Sequence, residues 1–141
     1  MDYCSLANAD TIPLAKELNQ KLQNLMSAYE TGTIKLKMSG CMNACGHHHV
    51  GDIGILGVDK KGEHWYQITL GGQGGLNAQL GKRLGPAIHR DNIIGALKIL
   101  VETYINLRQP DESFAESVKR LGILPFKEQV YDDKGNRKQA A

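Results

Sequence analysis

No run of this sequence approaches the roughly 20 consecutive apolar residues that a membrane-spanning helix requires, so no such helix is expected. Its start, MDYCSLANAD, has neither the basic nor the apolar segment of a secretion signal. Charge of one sign is also missing. The 17 Lys and Arg stand against 15 Asp and Glu, and a net charge of +2 is too mild for a nucleic-acid partner. Cysteine is scarce and odd in number: three residues close no disulfide framework. Without an export signal the expected compartment is the reducing cytoplasm, where clustered cysteines more often bind metal or do chemistry.

What is present is the composition of one globular domain. Hydrophobic residues make up 41% of the 141 and charged residues 23%, enough to bury a core without disulfides. Glycine is plentiful, and most of its excess lies between residues 40 and 85. Such a stretch suits tight turns or a backbone lying close to another group.

The pattern along the chain predicts α+β architecture, with helices packed on a small mixed or antiparallel sheet. A first helix is expected after Thr11, with Pro13 in its first turn and Leu14, Leu18, Leu22, Leu25 and Tyr29 on one face. Residues 33–38 alternate as a half-buried strand, and two more strands follow at Asp52–Val58 and Glu63–Leu70 around a hairpin loop at Lys60-Lys61-Gly62. Residues 71–75 form a glycine loop, and 82–89 read as a short strand interrupted by Pro86. A second long helix is expected from Asp91 to Arg108, capped by Asp91, and a third from Asp111 to Gly122. Residues 1–131 make up the domain, and the polar, patternless residues 132–141 read as a disordered tail.

Residues 39–51, SGCMNACGHHHVG, follow neither periodicity. Cys41 and Cys45 flank three residues, a spacing that lets both thiolates face one metal centre. Cys4 leads into the first helix, and the fold can bring it to the pair. Adjacent histidines in an extended loop point in different directions, so His47, His48 and His49 do not all bind one ion. Three cysteines with one of these histidines make a possible zinc site, which would make the chain a zinc-stabilised, non-enzymatic module. A metal-free interaction domain is the third reading, and exposed apolar surface would favour it.

The same loop resembles a known family. Ser39-Gly40-Cys41, three residues, Cys45, six residues and Asp52-Ile53-Gly54-Ile55 match the signature of sirohaem-dependent sulfite and nitrite reductases. Residues 2–9, the glycine stretch from Leu70 and the Arg120–Ile123 segment extend the likeness over residues 2–131, about the last quarter of a family member. The resemblance implies a 4Fe-4S cluster bound by Cys4, Cys41 and Cys45, with Cys45 bridging to the sirohaem iron. It implies six-electron reduction of sulfite to sulfide or nitrite to ammonia, with ferredoxin or a flavoprotein as electron donor. It also makes Asn43, Gly71, Gly72 and Arg83 candidates to meet the sirohaem, with Lys82 and Arg90 beside them. The family's fourth cluster cysteine would lie six positions before Cys4, ahead of Met1. Its substrate-binding Arg and Lys belong to earlier domains. The chain therefore reads as the C-terminal part of a larger reductase, inactive alone, whose bared domain face promotes self-association.

Overall fold

A computed structural model describes residues 4–131; the tail expected at 132–141 lies outside the described residues. The architecture is α+β. Helix α1 (Ile12–Ala28) leads to strand β1 (Leu36–Ser39), then β2 (Ile53–Lys60) and β3 (Glu63–Leu70). Two short strands, β4 (Lys82–Arg83) and β5 (Ile88–His89), precede helices α2 (Arg90–Leu107), α3 (Phe114–Leu121) and α4 (Leu124–Tyr131).

The sheet is mixed, in the order β1-β2-β3-β4, with β5 also on β3. β1 runs parallel to β2, with Leu36 opposite Ile53 and Ser39 opposite Leu56. Parallel neighbours need a crossover of a dozen residues or so, usually a helix. Here the cysteine and histidine loop is that crossover. β2 and β3 form an antiparallel hairpin from Ile53↔Leu70 to Lys60↔Glu63. Lys61 and Gly62 both take positive φ (58° and 75°), the backbone of a two-residue turn that matches the strand twist.

The expected strand over 82–89 is instead two fragments. β4 pairs with Thr69–Leu70 and β5 with Trp65–Tyr66. Pro86, which has no N–H to give a ladder, sits in the break. Leu84 fills it, buried, with its amide on the Ile68 carbonyl at 2.9 Å.

One face of the hairpin carries Ile53, Ile55, Tyr66, Ile68 and Leu70 into the core, where α1 and α2 cover it. On α1 the stripe is shorter than its spacing suggests. Leu14, Leu18 and Leu22 are buried, but Leu25 is half-buried and Tyr29 exposed, because the helix ends at Ala28. The cap of α2 is His89, not Asp91: its Nδ1 accepts from the Asp91 amide at 3.2 Å. Helix α3 begins at Phe114 rather than near Asp111. Ser113 and Glu116 form a reciprocal capping box there. Helix α4 was not expected from the pattern. Phe126 and Val130 bury its inner side, and the Tyr131 hydroxyl donates to the Pro86 carbonyl at 2.6 Å.

Candidate functional site

The three cysteines come from two distant stretches and line one pocket of about 260 Å3. The stretches are stitched together by their backbones. The amides of Asn8 and Ala9 both donate to the Gly40 carbonyl, at 2.8 and 3.4 Å. This close approach needs a bare backbone opposite it: a Cβ on Gly57 would meet the Gly40 carbonyl oxygen at 2.7 Å and the Ala9 Cβ at 2.9 Å. Cys4 and Cys45 are exposed and Cys41 is half-buried, so the thiols are reachable from outside.

The rest of the wall suits a group held by sulfur. Ala7, Ile12 and Met38 are apolar neighbours. Thr11 and Ile12 place the N-terminal end of α1 at the same pocket, and its partial positive charge favours negative charge there. Three soft sulfur donors on one mostly apolar wall fit an iron–sulfur cluster. Among the described residues, no three His, Cys, Asp or Glu side chains converge on the position of a single metal ion.

The loop between the cysteines is two successive turns. The Ala44 amide donates to the Cys41 carbonyl at 3.1 Å, and the His47 amide to the Ala44 carbonyl at 2.8 Å. Ala44 and His47 take left-handed backbone angles, φ 57° and 52°. Asn43, one residue before the left-handed Ala44, stands exposed on the turn.

The histidines differ from the extended loop the sequence suggested. His48–Val50 is a turn of 3-10 helix, and the His48 and His49 rings pack 3.9 Å apart. His47 and His49 are exposed; His48 is buried, with Nδ1 2.9 Å from the Ser39 hydroxyl. Burial, then the charge of His49, holds His48 below its ordinary pKa of 6.5. None of the three histidines lines the cysteine pocket, so the fourth position of the zinc arrangement is not filled from this turn.

The glycine loop lies at the other end of β1 and β2 from the cysteines. The Gly71 amide donates to the Asp52 carbonyl at 3.0 Å, so it is spent inside the fold. Gly72 is buried where a Cβ would press on the His49 and Gly51 carbonyls, so its bareness lets the two loops touch. The step between the two ends is three strand residues, roughly 10 Å at the usual rise. Lys82 faces a polar cleft shared with Lys35, Gln73 and Gly71. Arg83 is exposed, and its Nε donates to the Gly85 carbonyl at 3.1 Å. Arg90 is committed elsewhere: it pairs with Glu17 at 2.9 Å and Asp10 at 3.5 Å.

Two carboxylates act as structural hubs. Asp10, six residues after Cys4, accepts from the Tyr66 hydroxyl at 2.6 Å and lies 2.8 Å from His64 Nδ1. Burial raises its pKa. The hydrogen bonds of Tyr66 and His64 and the charge of Arg90 outweigh burial and hold it below 3.8. Asp52 takes the Lys35 amide on its carboxylate at 2.7 Å, which fixes the start of β2 against the entry to β1. Asp52 was visible as part of the cysteine signature; Asp10 had no such marker, because its partners are 54 and 56 residues away.

The family model described as the nitrite and sulphite reductase 4Fe-4S domain matches residues 2–138. The sulfite reductase (NADPH) hemoprotein beta-component of Baumannia cicadellinicola subsp. Homalodisca coagulata is 34% identical over 128 residues, covering 86% of this chain and 21% of that protein. Its counterpart from Xylella fastidiosa strain M23 is 32% identical with the same coverage. The solved structure of the Mycobacterium tuberculosis NirA protein superposes with a TM-score of 0.74 at 26% identity, over 87% of this chain and 24% of that one. The chain thus spans about a fifth of the length of the curated relatives it matches.

Proposed function

Because the chain belongs to the nitrite and sulphite reductase 4Fe-4S domain family, we propose that it is the cluster- and sirohaem-holding part of a sulfite or nitrite reductase. The observation that carries this reading is the meeting of Cys4 with Cys41 and Cys45 on one pocket. Cys4, Cys41 and Cys45 would supply three thiolates to a 4Fe-4S cluster, and the family's fourth cysteine, six positions before Cys4, would supply the other. By the family resemblance, Cys45 would also help to hold the sirohaem. When bound, the cluster and sirohaem would relay six electrons from the donor, enough to take sulfite to sulfide or nitrite to ammonia.

The chain's own residues hold and orient. The end of α1 favours negative charge at the thiolates. Gly72 keeps the glycine loop low beside the histidine turn, and Gly71 turns the chain there. Asn43 and Arg83 are exposed, and we assign them to the macrocycle's edge and carboxylates. Substrate-binding residues lie in the remainder of the reductase, so the 141 residues alone are inactive. Ferredoxin or a flavoprotein is the donor.

The test is anaerobic incubation with iron, sulfide and sirohaem, desalting, and a visible absorption spectrum with an iron assay. The expected result is iron–sulfur absorption that falls in Cys41→Ala and Cys45→Ala. A chain extended upstream to include the fourth cysteine retains more iron per protein. Equal retention by the short and extended chains overturns the ligand assignment.

A further inference from the structure

We infer that Ser39 and His48 are positioning residues for Cys45: the imidazole takes the serine's proton, and the serine oxygen takes the amide that follows the cysteine. The inference rests on the proposed role of Cys45 as a cluster ligand. It follows from counting protons in a buried place. Ser39 and His48 are 3% and 2% exposed. The Gly46 amide donates to the Ser39 Oγ at 3.2 Å. A hydroxyl has one proton and two lone pairs. With a lone pair given to Gly46, the Ser39 proton needs an acceptor, and His48 Nδ1 lies 2.9 Å away. That assigns the imidazole proton to Nε2. The lowered pKa of His48 agrees, since it keeps the ring neutral and Nδ1 open as an acceptor.

The anchor is rigid at both ends. Ser39 closes β1, in register with Leu56 of β2. The His48 carbonyl packs against Gly54 so closely that a Cβ there would collide with it. Gly46 itself lies on the Met38 carbonyl, with no room for a side chain. The peptide joining Cys45 to Gly46 is therefore tied to the sheet, between two left-handed residues at 44 and 47 that set the direction of the turn. Cys45 is exposed, so the peptide behind it sets the direction in which its side chain leaves the loop. The hydroxyl and imidazole hold that peptide from behind.

The experiment uses the whole chain and four variants: Ser39→Ala, Ser39→Thr, His48→Ala and His48→Asn. The first readout needs no metal. Hydrogen exchange of the Gly46 amide is expected to speed up about tenfold in Ser39→Ala and in His48→Ala, the loss of one net hydrogen bond. The second readout is iron retained after reconstitution, with the visible spectrum and midpoint potential of the bound cluster. Both alanine variants are expected to retain less iron and shift the potential, and Ser39→Thr, which keeps the hydroxyl, to restore both. His48→Asn, with an acceptor oxygen near the Nδ1 position, is expected to recover part of the effect. Ser39→Ala is read where its circular dichroism equals the parent's, which separates the anchor from general unfolding. Unchanged Gly46 exchange overturns the inference, as do alanine variants with the parent's iron content and potential. A parent chain that holds no iron, even when extended upstream, overturns the cluster reading instead, and the Gly46 exchange then decides the anchor by itself.

Discussion

Asp10 shows how much one buried carboxylate does for the candidate site. Its side chain is 15% exposed and meets a hydroxyl, an imidazole and a guanidinium from β3 and α2. Its backbone carbonyl also lies 2.7 Å from the Tyr66 hydroxyl, within reach of the same proton. The stretch that carries Cys4 is thus bolted to the middle of the sheet. Asp10→Asn is expected to cost about 1.5–3 kcal/mol, the usual worth of hydrogen bonds to a charged group. The folded pKa lies below the ordinary 3.8, so the stability from this group is complete above 3.8 and is lost as pH falls through the folded value. Urea midpoints measured from pH 7 downward are expected to show the gap between parent and variant closing below pH 3.8. A gap that stays constant at all pH values would mean the carboxylate's charge is irrelevant to it.

At the scale of elements, local chemistry explains the ends and packing explains the lengths. The α2–α3 corner is closed by Glu112, whose carboxylate accepts from Arg120, the Gln109 amide and the Ser117 hydroxyl. Arg120 first, then the Gln109 amide, holds its pKa down to about 2. Helix α2 has a weak point at Gly95, which is exposed, has ordinary helical angles and has nothing within 4 Å of where a Cβ would stand. Gly95→Ala is expected to stabilise the chain by about 1 kcal/mol through lost unfolded-state entropy, read as a higher urea midpoint. No gain would mean that this face of α2 has a need for the bare backbone that the packing does not reveal.

These elements also show what a reader of the sequence can see. The stripe of α2, the first three turns of the α1 stripe and the β2–β3 hairpin with its Lys-Gly turn are local signals, and the structure has them. The misplaced features depend on distant partners. The cap of α2 moved to His89 because its ring reaches back over the first turn, and the last strand broke where Pro86 has no amide to offer. Helix α4 spans only Leu124–Tyr131, so too few residues carry its period to stand out.

For the molecule as a whole, the unusual feature is the crossover that joins two parallel strands without an α-helix, leaving room for cysteines and histidines. Beside it, α1 and β1 enclose a mostly apolar groove of about 820 Å3 lined by Leu18, Leu22, Met26, Ile34, Leu36 and Met38. β1 is the edge of the sheet, and among the described residues no strand pairs with its outer side. A chain with such a face is expected to self-associate. Light scattering over a concentration series is expected to give a mass that rises above the monomer, and a constant monomer mass would refute it.

By itself the sequence determined the α+β class, the helix stripes, the hairpin and the loop that carries Cys41 and Cys45. These follow from side-chain period, turn chemistry and a motif whose residues lie within about one crossover of each other. Only the tertiary structure decided that Cys4 stands with Cys41 and Cys45, that His48 faces inward to Ser39 while its neighbours face out, and that Asp10 holds the first stretch in place. Those facts depend on contacts between residues far apart in the chain. Such contacts form when the whole core closes, and the burial and hydrogen bonding of the folded chain select them over any local preference.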